Sequence, residues 1–167
     1  MTDLRIVKWC PSGPVAVETS HYLPLKIVWV PSEFRGEPLP LHLRMSGIGG
    51  GELDLRLDSQ SGLLRSLTVI SFGPPGSTDA YAFADAEVDA VAAVIDMTDF
   101  PATSSVMTLE ATLRFIRFPN GVRIDFAPLE DARCVRMSRG VDFFVTSSGL
   151  LSAAAANACP DESHFHS

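Results

Sequence analysis

LDLRLDSQSGLL (residues 53–64) and VDFFVTSSGLL (residues 141–151) are two versions of one sequence pattern. With a one-residue gap, both contain an apolar residue, Asp, an alternating segment, a Ser-rich turn, Gly and a pair of Leu residues. The alternation is typical of a β-strand, and Gly allows the positive φ angle of a tight turn. Each version therefore predicts a β-hairpin, and the repetition predicts that the two hairpins hold equivalent positions in the fold.

Other short segments with strand character flank both hairpins. Leu25–Val30 is rich in β-branched and aromatic residues, Leu41–Met45 alternates apolar and polar positions, and the Asn120-Gly121 pair favours a type I′ turn. Residues 150–158 are rich in Ala, which favours a helix, but their match to the first hairpin favours a strand. Turn signals about every 8–12 residues predict a mainly β fold, an antiparallel β sandwich or barrel with an internal duplication.

The length of 167 residues suits one domain with a substantial core. Gly73-Pro74-Pro75-Gly76 is the clearest break in the chain. We therefore expect one β-rich domain over residues 1–158, made of two similar halves at about 1–72 and 79–158 and followed by a flexible tail at 159–167. The duplication predicts two similar sheets packed face to face.

Residues 79–96 allow two interpretations. Val88, Val91, Ala92 and Ile95 have helical spacing, and a helix here would make the fold α+β. Residues 91–97 also suit a strand that leads into a loop, as residues 25–34 do. We favour the strand.

Charge and hydropathy exclude several classes of protein. A net charge of −7 opposes binding to a phosphate backbone, so we expect no nucleic-acid partner. No run of 18 apolar residues occurs, and the N-terminal residues lack the basic start and apolar core of a signal peptide. The expected location is the cytoplasm, with no membrane association.

Catalytic and metal-binding signals are weak. Four aspartates lie at polar positions of predicted strands and are expected to be solvated rather than catalytic: Asp54, Asp58, Asp125 and Asp142. No nucleophile elbow or cofactor motif accompanies them. His164 and His166 form an isolated pair in the tail, without further metal ligands nearby in sequence. We therefore expect no catalytic residue, no metal site and no cofactor.

The distribution of charge is the least ordinary feature of the chain. No Lys or Arg occurs between Ser66 and Leu113, whereas this base-free segment contains seven acidic residues. One interpretation is a solvated face. The other is a surface that docks onto a basic protein and speeds its association by electrostatic steering. The predicted partner-binding residues are Asp79, Asp85, Glu87, Asp89, Asp96 and Asp99.

The hairpin at residues 53–70, together with the acidic single-domain character, resembles bacterial immunity proteins that neutralise polymorphic or contact-dependent toxins. The resemblance implies a cytosolic inhibitor that covers the active site of a basic toxin domain. It carries over no catalytic residue, because these families share no catalytic motif. Two alternatives remain: a small enzyme or ligand-binding barrel with Asp or His in its cavity, and a structural subunit of an assembly.

Overall fold

A computed structural model describes residues 3–20, 22, 24–31, 40–72, 89–100, 105–118 and 120–158. This part of the chain contains twelve strands and no helix, which confirms the mainly β prediction. The strands are β1 (Ile6–Glu18), β2 (Leu25–Pro31), β3 (Pro40–Gly47), β4 (Glu52–Asp58), β5 (Leu64–Ser71), β6 (Val91–Ile95), β7 (Ser105–Ala111), β8 (Arg114–Phe118), β9 (Gly121–Asp125), β10 (Ala132–Ser138), β11 (Val141–Thr146) and β12 (Leu151–Asn157).

The strand interpretation of residues 91–97 is confirmed over 91–95, where β6 pairs with β1. Residues 79–88, the predicted break at 73–76 and the predicted tail at 159–167 lie outside the described residues. The Ala-rich return arm is also a strand, β12, which pairs with β11 on one side and β9 on the other. Two backbone ladders and complete burial of its four alanines override the helical preference of Ala.

The two sheets repeat one strand order. The larger sheet has the order β6-β1-β2-β5-β4-β3-β7, and the smaller has the order β10-β11-β12-β9-β8. Without β6 and β7, the larger sheet reads β1-β2-β5-β4-β3, and the smaller sheet, reversed, reads β8-β9-β12-β11-β10. The predicted hairpins β4–β5 and β11–β12 therefore hold equivalent positions in strand order.

The sheets differ from the predicted equal pair in two ways. β6 and β7 come from the second half of the chain but join the edges of the larger sheet, so the sheets have seven and five strands. β7 also pairs with β3 in parallel, whereas the sequence predicted an antiparallel fold throughout. Local alternation predicts that a segment is a strand, but it carries no information about which distant strand lies beside it.

The turns of the two hairpins make equivalent contacts. Gly62 and Gly149 have φ angles of 77° and 88°. The Ile95 amide of β6 donates to the Gly62 carbonyl at 2.9 Å, and the Ile6 amide of β1 donates to the Gly149 carbonyl at 2.7 Å. Ile6 and Ile95 are also partners in the β1–β6 pair. The first residues of β1 and the strand β6 therefore connect the two hairpin turns.

The core lies between the two sheets. The larger sheet contributes a layer of fully buried leucines from β3, β4 and β5, and the smaller sheet contributes aromatic residues. Trp29 of β2 meets Phe143 of β11 edge to face, with ring centroids 5.7 Å apart. Each buried Leu or Phe side chain stabilises the fold by about 1.5–3 kcal/mol. Because alternate residues of each strand fill this core, the intervening residues lie on the outer face of their sheet.

Candidate binding surface

The outer face of the seven-stranded sheet carries rows of polar, charged and apolar side chains. One row of neighbours crosses five strands and consists of Val28, Ser66, Arg56, His42 and Val106. The next row consists of Lys26, Thr68, Asp54, Arg44 and Thr108. Two parts of this face stand out, and each is assembled from several strands.

The first part, called here the acidic end, lies where the β1–β2 loop, the end of β5, the β3–β4 turn and the end of β7 meet. The pairs Glu18–Lys26, Leu25–Val69, Ser46–Glu52 and Gly47–Ala111 place these four segments at the same end of the sheet. The acidic end consists of Glu18, Tyr22, Ile48, Glu52, Ile70 and Glu110.

Apolar side chains are unusually exposed at the acidic end. Tyr22, Ile48 and Ile70 have 92%, 77% and 37% of their surface exposed. The two loops that carry Tyr22 and Ile48 are three strand spacings apart, or about 14 Å. The three glutamates are exposed on the same end. The described residues of the four converging segments, 18–22, 46–52, 69–72 and 109–113, include no Lys or Arg, and the nearest base in register is Lys26, opposite Glu18.

Glycines fix the position of Ile48. Gly50 and Gly51 have φ angles of 105° and 87°, which side-chain-bearing residues rarely adopt. The Gly47 amide donates to the Gly51 carbonyl at 2.9 Å, and the Ile48 amide donates to the Ala111 carbonyl of β7 at 3.2 Å. This hydrogen-bonded turn therefore projects the Ile48 side chain outward from a defined backbone.

The second part is a concavity of about 210 Å³, called here the basic concavity. The pairing of β2 with β5 stops at Val28 and Ser66, although β2 continues to Pro31, so the two strands part at this point. A β-bulge in β5 adds one residue opposite Arg56 and Leu57. The residues that line the concavity are Lys26, Val28, Trp29, Val30, Arg56, Arg65 and Ser66.

The electrostatics of the basic concavity are those of cations held close together. Burial lowers the pKa of Arg65, and the nearby positive charge of Arg56 lowers it further. Asp58 acts in the opposite direction, but its effect is the smallest of the three. The fold therefore holds Arg65 in a place that disfavours its charge.

The predicted solvation of Asp125 and Asp142 is wrong. They are only 9% and 1% exposed, and each is paired with an arginine on the outer face of the smaller sheet. The Arg123 Nε atom lies 2.7 Å from Asp125, and the Arg136 Nε atom lies 3.2 Å from Asp142. The pairing explains the burial, because a buried carboxylate needs a counterion and hydrogen-bond donors.

Asp54 and Asp58 also have structural partners. The Asp54 carboxylate lies at hydrogen-bond distance from the His42 Nδ1 atom, 2.9 Å away. Asp58 accepts from the backbone amides of Gln60 and Ser61 in the first hairpin turn. These contacts position the β3–β4 pair and the turn, so neither carboxylate is merely solvated as predicted.

The predicted docking acids are not brought into one cluster within the described part of the chain. Asp79, Asp85 and Glu87 lie outside it. Asp89 precedes β6, whereas Asp96 and Asp99 follow it, and the seven steps of extended chain from Asp89 to Asp96 span about 23 Å. Asp96 accepts hydrogen bonds from the Thr98 hydroxyl and amide, which lower its pKa.

Sequence reasoning missed both parts of the surface. The signal for the bulge was available, since Arg65 and Ser66 are two consecutive polar residues between Leu64 and Leu67, where strict alternation allows one. Ile48 also carried a signal, as an apolar residue in a Gly-rich turn. Their neighbours come from other strands, so the clusters themselves had no local signature.

Groups of three or more potential metal ligands are absent from the residues that the structure describes, and the same residues include no helix that could span a membrane. His164 and His166, the isolated pair in the tail, lie outside them. A scan against protein-family models and a search of curated proteins found no match to this chain.

Proposed function

We propose that this chain is a protein-binding module without catalytic activity of its own, and that it docks a basic protein on the acidic end. The observation that supports this is the combination of exposed Tyr22, Ile48 and Ile70 with three exposed glutamates and no described base in the same segments. Apolar anchors inside a charged rim are typical of protein interfaces.

The base-free segment between Ser66 and Leu113 is also acidic, so it favours a basic partner as well. Glu110, its last acidic residue, belongs to the acidic end. Asp89, Asp96 and Asp99 lie beside β6 at the far edge of the sheet, on the other side of β1 and β2. We propose that they act at long range and raise the association rate, while the acidic end makes the contacts.

The partner that this arrangement suits is a toxin domain with a basic substrate groove, as the resemblance to immunity proteins implies. The glutamates would take the place of the anionic substrate, and the apolar anchors would fill the groove beside them. In this role the protein acts in the cytoplasm, needs no cofactor, and inhibits by covering the groove.

The test uses the product of the adjacent gene as the binding probe. If that product is a toxin domain, its expression should stop growth and co-expression of this chain should restore it. The variant E18Q/E52Q/E110Q and the variant Ile48→Ser should each lose protection. Binding of the purified pair should weaken between 0.1 M and 1 M salt, as the Debye length falls from about 10 Å to about 3 Å.

A matched variant separates contact from steering. D89N/D96N/D99N removes the same number of charges away from the acidic end, so it should slow association with little change in the dissociation rate. Full protection and unchanged binding by E18Q/E52Q/E110Q would refute the acidic end as the docking surface. A neutral or acidic partner would refute the proposed charge complementarity.

A further inference from the structure

We propose that the basic concavity is a binding site for one phosphate group carried by a small phosphomonoester. This site adjoins the acidic end, because Lys26 is the register partner of Glu18, but it does not depend on the function proposed above. It would use Lys26, Arg56 and Arg65 as charged donors and Ser66 as a neutral donor.

The first observation is that three cations line one concavity without forming an ion pair with a described residue, although the charge of Asp58 acts weakly on Arg65. No described residue forms a hydrogen bond or an ion pair with the side chain of Lys26, Arg56 or Arg65. All three line the same concavity of about 210 Å³. Like charges at close range oppose folding, whereas a bound dianion would turn the same arrangement into a favourable one.

The second observation comes from the equivalent position in the other sheet. By strand order and register, Lys26 of β2 is equivalent to Arg123 of β9, and Val28 of β2 is equivalent to Asp125 of β9. In each case the strand that pairs with them is the return strand of a hairpin, β5 or β12. Arg123 forms a two-pronged ion pair with Asp125, at 2.7 Å and 3.2 Å. Val28 stands where that carboxylate would be, so the concavity lacks the internal counterion that the smaller sheet has.

The third observation is the Ser66 hydroxyl. Ser66 is 7% exposed and lines the concavity, where its hydroxyl reaches solvent and forms no hydrogen bond with a described residue. The hydroxyl is therefore free to donate to a ligand in the concavity. The bulge that adds a residue beside Ser66 also places Arg65 next to it, so the hydroxyl and a guanidinium approach the same space.

Size and surroundings favour a single phosphate group over a polyanion. The concavity is smaller than the roughly 300–1,000 Å³ of sites that take drug-sized ligands. The chain carries a net charge of −7, which would repel a nucleic acid. Val28 and Val30 form an apolar wall that suits the carbon portion of a phosphate ester.

The experiment titrates the folded protein with inorganic phosphate and with phenyl phosphate, each against sodium chloride at matched ionic strength. Amide chemical shifts of residues 26–30 and 65–66 report the site, and calorimetry gives the affinity. Tighter binding of phenyl phosphate identifies an ester site. Equal binding of both ligands would overturn the proposal that the ligand is an ester and would indicate a site for free phosphate. Shifts that chloride reproduces in full would overturn the proposal altogether.

Variants distinguish this site from general charge. Arg56→Gln and Arg65→Gln should each weaken phosphate binding about tenfold or more, the usual effect of losing a hydrogen bond between a charged donor and an anion. Val28→Asp should abolish binding, because it supplies the carboxylate that the smaller sheet has at this position. Arg44→Gln, an exposed change on the same face outside the concavity, should bind within about twofold of the parent. Parent-like binding by Val28→Asp would refute the inference, provided that its amide spectrum shows the native fold.

Discussion

The two sheets use one topology to build two different outer faces. In the smaller sheet Arg123 and Arg136 each have a carboxylate partner, and the strands between them carry Ala153 and Ala155, which are fully buried. In the larger sheet the matching region holds Lys26, Arg56 and Arg65 around a concavity, and their side chains form no ion pair with a described residue. The smaller sheet thus pairs these two arginines internally, whereas the larger sheet does not pair its cations within the described part of the chain.

The two sheets share the framework of their hairpins, β4–β5 and β11–β12. Asp54 of β4 and Asp142 of β11 occupy equivalent positions, and each contacts a basic residue on the preceding strand, His42 or Arg136. Both return strands also carry a bulge at the same place, which adds Arg65 in one sheet and Ser152 in the other. The difference in chemistry therefore comes from the side chains on a shared backbone rather than from a change in topology.

The largest expected effect tests whether the two hairpin turns are equivalent. A Cβ atom on Gly62 would collide with the Ile95 carbonyl oxygen, and one on Gly149 would lie 2.7 Å from the Ile6 carbonyl oxygen. With positive φ at both positions, Gly62→Ala should lower the free energy of unfolding by more than about 3 kcal/mol and Gly149→Ala by about 2 kcal/mol. Urea unfolding measures both.

Gly49→Ala is the control for those two variants. Nothing lies within 4 Å of a Cβ atom at Gly49, and its φ angle is not positive. Its free energy of unfolding should stay within about 0.5 kcal/mol of the parent value. If Gly62→Ala and Gly149→Ala were as mild as Gly49→Ala, the turns would not hold β6 and β1 as the structure indicates.

A smaller effect tests the contrast between paired and unpaired cations. Arg123→Gln leaves the buried Asp125 carboxylate without its counterion and should cost about 1–3 kcal/mol. Arg65→Gln removes a charge that burial and Arg56 disfavour and that Asp58 favours. Because solvent screens this partly exposed group, the variant should be neutral or slightly more stable than the parent at low salt and without phosphate. Thermal unfolding at two salt concentrations checks the pair. Equal losses in both variants would show that Arg65 is already neutralised within the protein.

The sequence predicted what alternation and turn residues determine. Leu53, Leu55 and Leu57 do face the core, Gly62 and Gly149 do adopt positive φ, and residues 151–157 are a strand in spite of four alanines. These features depend on period and on local backbone geometry, which neighbours in sequence reveal.

The features that were not predicted depend on lateral neighbours. Asp125 and Asp142 were expected to be solvated because each occupies a polar position in its own strand. They are buried because Arg123 lies two residues away on the same strand face and Arg136 lies on an adjacent strand. The basic concavity was missed for the same reason, since β2, β4 and β5 each contribute a cation. A strand sequence shows which face a residue occupies, but the charge of that face is set by strands far away in sequence.

The smallest expected effect separates a structural carboxylate from a docking one within the base-free segment. The Thr98 hydroxyl and amide donate to Asp96 and hold its pKa below the ordinary value, whereas Asp99 is exposed nearby. Because the folded-state pKa of Asp96 is lowered, its contribution to stability is present above the unfolded value of about 3.9 and is lost as pH falls through the folded value. Thr98→Ala removes the hydroxyl donor, so the pKa of Asp96 should rise toward the ordinary value. The stability difference between parent and variant should be greatest above about pH 4 and should shrink at lower pH.

Carbon-detected NMR titration of the carboxyl groups gives the pKa directly, and Thr98→Ser, which keeps the hydroxyl, is the control. An unchanged pKa in Thr98→Ala would contradict the role of the hydroxyl and would leave the Thr98 amide as the donor that holds the pKa of Asp96 low.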